Sequence, residues 1–171
     1  MIIKDELLKS KTQNKEDPMR IAVYACERKK NFKELMQCFL ANEYRLAQRA
    51  AWSVSWASAK KPAMIKPYIS TLVGQLLRND VHPAVVRNSI RIIQHTEVAE
   101  KNHGELMNAC FQLIEKQGTP VAIKAFALTA LHQLSKIYPE IKNELKTLIE
   151  TVWENETAAF RSRGKHILKS L

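Results

Sequence analysis

Five apolar residues, Phe32, Leu35, Met36, Phe39 and Leu40, return 37 positions later as Ile69, Leu72, Val73, Leu76 and Leu77. Another 37 on stand Leu106, Ala109, Cys110, Leu113 and Ile114, and a step of 39 then reaches Leu145, Leu148, Ile149, Val152 and Trp153. The spacing i, i+3, i+4, i+7, i+8 marks one face of an amphipathic helix. A recurring unit with one apolar face must bury it against its neighbours, so the period predicts an all-α solenoid.

Each unit reads as two antiparallel helices. The first carries the five-position face, and a polar turn follows at 41–43, 78–80, 115–118 and 154–156. Pro83 and Pro120 stand in the first turn of a second helix, where a missing N–H costs nothing. Pro67 falls inside the first helix of the second unit and should kink it or begin it. Before the array, residues 3–10 read as a short helix, and Pro18 opens another. The expected organisation is one domain over 1–171, with a helical cap over 1–30 and repeats near 31–67, 68–104, 105–142 and 143–171. The last helix carries Arg161, Arg163, Lys165, His166 and Lys169, the polar face that a terminal cap needs.

Composition narrows the function classes. No apolar run approaches the ~18 residues of a transmembrane helix. The opening stretch lacks the apolar core of a signal peptide, so a cytoplasmic protein without membrane partners is expected. The net charge is +10, with +3 on residues 1–31 and +4 on 32–68. Such charge permits a polyanionic partner and equally serves solubility. Cys26, Cys38 and Cys110 form no C-x-x-C pair, and His82, His95, His103, His132 and His166 form no H-x-x-x-H. A zinc site or disulfide framework is not expected. His95 and His132 share a repeat position and should share an environment. No G-x-x-x-x-G-K-[ST], G-x-G-x-x-G or G-x-S-x-G occurs, so neither a cofactor nor an enzyme is expected.

The stretch EYRLAQRAAWSVSW followed by PAMIKPYISTLVGQLL resembles HEAT repeats, as does Asp80 ahead of Arg87 in DVHPAVVRNSI. Similar acid-to-cation pairs run from Glu43 to Arg49 and from Glu156 to Arg163, while Gln117 replaces the acid before Lys124. The resemblance covers about residues 30–171. It implies a right-handed α–α superhelix of about four HEAT-like helix pairs with a helical N-terminal cap, whose second helices line the concave face. The architecture is also distantly similar to the HEAT-like alkylpurine DNA glycosylases. By that resemblance their chemistry needs an aspartate in the groove, whereas this chain has only Asp5, Asp17 and Asp80. Binding without catalysis is what remains of that comparison.

Two constellations stand out as a binding surface. Arg49, Arg87, Lys124 and Arg163 form a ladder of one cation per unit, which either meets successive phosphates or bonds the turns of the stack. Arg45, Arg49, Trp52 and Trp56, spaced 4, 3 and 4, share one helix face. Tryptophans beside arginines suit a protein anchor or a stacking platform for bases, and inter-repeat packing is the competing role. Lys60, Lys61 and Lys66 extend the positive field just beyond. The expected function is a non-enzymatic scaffold that binds an unidentified protein. Nucleic-acid backbone binding through a basic, tryptophan-containing groove is the alternative.

Overall fold

Proline and the residue before it set the helix boundaries that shape this chain. In the computed structural model, which describes residues 1–10, 12, 14 and 16–171, every regular element is helical. The elements are α1 (Ile3–Leu8), α2 (Glu16–Ala25), α3 (Lys29–Phe39), α4 (Tyr44–Lys60), α5 (Pro62–Ile65), α6 (Ile69–Gly74), α7 (Pro83–Ile93), α8 (His103–Glu115), α9 (Val121–Ile137), α10 (Lys142–Val152) and α11 (Ala158–Leu168). Lys61 takes φ −136°, ψ 78°, because the following Pro62 disfavours the α region, and α4 therefore stops. Tyr138 before Pro139 does the same to α9, at φ −119°, ψ 80°. Pro67 sits in a 3₁₀ turn, Lys66–Tyr68, that separates α5 from α6, so the expected kink is a full interruption. Pro83 opens α7 as expected, while Pro120 stands one step earlier, as the N-cap of α9.

The repeating apolar face is buried at its first four positions in the units that begin at Phe32, Ile69 and Leu106. In the last, Leu145, Leu148 and Ile149 are buried and Val152 is half-buried. The fifth position departs from expectation: Ile114 is buried, Leu40 and Trp153 are half-buried, and Leu77 is 39% exposed. That position lies at the end of each first helix, where the turn pulls away. Each fully buried Leu, Ile or Phe contributes roughly 1.5–3 kcal/mol.

The chain packs as two compact units, Met1–Ile92 and Ile93–Leu171. In the first, α2, α3 and α1 all pack on the long α4. Glu34 of α3 accepts the Ile3 N–H at 2.7 Å, satisfying a free donor at the start of α1. Arg20 ties α2 to α1 through Glu6 at 2.7 Å. The short N-terminal helix ends at Leu8, two residues before the expected limit.

In the second unit, α9 packs against α8 on one side and α11 on the other. His103 is buried between the Tyr138 hydroxyl at 3.0 Å and the Val98 carbonyl at 2.8 Å. Gly164 lets α11 approach α10 closely: a Cβ there would stand 3.1 Å from Ile149 Cγ2 and 3.3 Å from the Trp153 ring. The Thr157 hydroxyl accepts the Phe160 N–H and caps α11.

Candidate interaction surface

The face of α4 that carries Arg45, Arg49, Trp52 and Trp56 divides along its length. At its start both arginines bond backbone carbonyls at or just beyond the end of α1, and only Arg49 is buried there. Arg49 is 7% exposed, and its Nη1 donates to the Leu7 carbonyl at 2.8 Å. Arg45 is exposed and donates to the Ser10 carbonyl at 3.3 Å. Cations suit a helix C-terminus, where carbonyls lack partners. Burial, and then the Arg45 charge, lowers the Arg49 guanidinium from its ordinary pKa. Further along, Trp52 is half-buried and Trp56 is 37% exposed.

Neighbouring α2 carries exposed apolar residues of its own. Cys26, just beyond α2, lies with its thiol 3.5 Å from the Ala57 carbonyl in the last turn of α4. The two helices pack on each other, and this contact sets the end of α2 near the end of α4. Val23 is 49% exposed and Met19, one turn earlier, is 41% exposed.

The ladder separates in the same way. Lys124 is buried in the second unit and pairs with half-buried Glu156, whose side chain is largely covered, in the turn ahead of α11. That is the bonding of a cation to the next unit's turn. Arg163 donates to the Thr129 hydroxyl rather than pairing with Glu156. Arg87 is exposed on α7, and Asp80 pairs instead with Arg78 at 2.6 Å. Glu43 pairs with Lys4 at 3.4 Å. The start of α4 meets the start of α7 through Tyr44, whose hydroxyl donates to the Val81 carbonyl and whose ring meets His82 edge-on.

A profile described as HEAT repeat domain matches residues 4–171. The chain belongs to the HEAT repeat family. No curated protein and no solved structure matches it. HEAT repeats generally mediate protein–protein interaction or scaffolding. The match begins at residue 4, so the HEAT repeat domain takes in most of the segment expected as a cap. Among the described residues, no helix is long and apolar enough to cross a membrane.

Sequence reasoning missed one feature of this HEAT repeat chain. Lys60 and Lys61 join Lys29, about thirty residues away, around a concavity of about 700 Å³ floored by Phe32 and walled by Pro62, Ala63, Met64, Pro67 and Tyr68. Lys66 does not line it. Lys29 opens α3 and Lys60 closes α4, and an antiparallel helix pair brings these two ends together. The only available signal was the Lys60–Lys61–Pro62 run, since Lys29 carries no motif. His95 and His132 also differ from expectation: His95 is exposed, whereas half-buried His132 lies 3.0 Å from the Ser170 hydroxyl.

Proposed function

We propose that this chain is a non-enzymatic binding module that takes a partner protein on the shared face of α2 and α4. Trp56 and Trp52 are the anchors, Met19 and Val23 widen the apolar patch, and Arg45 and Arg87 supply charge around it. The observation that carries this reading is the exposure of Trp56, Val23 and Met19 together in one unit. Exposed aromatic residues grouped with aliphatic ones mark interaction surfaces, and tryptophan and arginine dominate their energetics. Arg49 supports the surface from below by holding α1, and Lys124 holds a turn in the other unit.

The nucleic-acid reading draws support from the +10 charge and from exposed Arg87. It loses ground because two of its four ladder cations, Arg49 and Lys124, are buried and bonded within the fold. A groove that tracks a phosphate backbone needs those cations in solvent.

Trp56→Ala tests the anchor. Its Tm should stay within about 1 °C of the parent, since a partly exposed side chain away from the core contributes little to folding. Cross-linked partners recovered by the parent from its native extract should be lost by this variant. A drop of several degrees would make Trp56 a core residue and defeat the proposal. A parallel titration with duplex DNA, single-stranded DNA and RNA, followed by tryptophan fluorescence, should show no saturable quenching. Quenching with a steep salt slope would favour the nucleic-acid alternative.

A further inference from the structure

We infer that the concavity framed by Lys29, Lys60 and Lys61 is a second docking site, for an acidic peptide segment bearing an apolar side chain. This rests on the protein-binding reading but uses different residues. The volume of about 700 Å³ lies in the range of ligand clefts, and every residue belongs to the first compact unit. Its lining divides by chemistry. Phe32 is fully buried at the base, with its ring 6.0 Å from Tyr68, and half-buried Met64 joins Pro62, Ala63 and Pro67 in the walls.

The three lysines around it are exposed, and among the described residues none forms an ion pair or side-chain hydrogen bond. No carboxylate lines the cleft, and the first turn of α3, which Lys29 opens, contains no acid. Three like charges are therefore gathered around an apolar floor with no carboxylate among the lining residues. The complement is a ligand with several carboxylates flanking a hydrophobic group: the side chain enters the cleft while the carboxylates meet the ammonium groups.

Peptide fits better than nucleic acid. The walls are mainly aliphatic and prolyl rather than a row of open aromatic faces on which bases stack. The cations are lysines around one cavity, with no arginine fork for bidentate phosphate contacts. A groove of about 440 Å³ in the other unit, bounded by Phe111 and Leu148, carries Glu115 and Glu144 instead.

The test is fluorescence polarisation of the full chain with a labelled peptide of alternating Asp and Glu around one central Phe. Saturable binding that weakens with added salt is expected. Lys29→Glu/Lys60→Glu/Lys61→Glu should weaken it by about tenfold or more, and so should replacing the peptide's Phe by Ser. Far-UV circular dichroism should show the parent's helicity, and the neutral pair Lys60→Gln/Lys61→Gln should still weaken binding if the reversed charges disturb the fold. Trp56→Ala should bind this peptide as the parent does, which separates the cleft from the α2–α4 face. The inference is overturned by no saturation at low salt, by equal affinity in the lysine variants, or by a single-stranded oligonucleotide that binds more tightly and displaces the peptide.

Discussion

Gly104 and Gly118 have the same side chain and opposite uses of it. Gly118 adopts φ +78° in the turn after α8, a conformation that costs an L-residue about 1–2 kcal/mol. Gly104 lies in the first turn of α8 with ordinary helical geometry, where its freedom is lost without return. Both face open space, so added methyl groups meet no neighbour. Gly118→Ala should lower stability in urea melts by about 1–2 kcal/mol, while Gly104→Ala should raise it by up to about 1 kcal/mol. Arg49 and Arg87 make a related point. They occupy one repeat slot, yet one is buried on a helix end and the other is in solvent. The sequence contains the slot; the packing of α1 against α4 is what buries Arg49.

At the scale of elements, Lys124 and Glu156 join α9 to the turn that launches α11, and both side chains are withdrawn from water. A buried pair is a weak source of net stability, but breaking it leaves one charge uncompensated. Glu156→Leu alone should cost about 3–5 kcal/mol, whereas Lys124→Met/Glu156→Leu together should return stability to near the parent's. Thermal or urea unfolding of the full double-mutant cycle measures this, and equal losses in the single and double variants would disprove the coupling. The helices themselves were largely legible in advance. Apolar spacing located the first helices, and Pro83 and Pro120 marked the starts of α7 and α9. The Lys29–Lys60–Lys61 cleft was not legible, because no local pattern records which helix ends meet.

For the whole molecule, acid should act first through histidine. His132 has a lowered pKa, chiefly from burial and then from the nearby Lys136, His166 and Lys142 charges. His82 is lowered by burial and by Arg87. With folded values below the unfolded value of 6.5, the unfolded chain binds protons more readily. Stability from these sites is therefore full above that value and declines as pH falls through the folded values. Tm should drop between about pH 7.5 and pH 5.5, and His132→Asn should flatten that decline. Carboxylates such as Glu6, lowered mainly by the Arg20 hydrogen bond, act only at lower pH.

The sequence by itself determined the helical class, the repeat period and the buried face of most first helices. Those depend on spacing within a few turns, which a linear chain displays directly. It also supplied the motif that places the chain among HEAT repeats. Only tertiary packing decided that Arg49 and Lys124 serve the fold, that Trp56 stays in solvent, and that Lys29 shares one cleft with Lys60 and Lys61. Burial and pairing are properties of neighbours, and neighbours far apart along the chain are chosen by how helices pack.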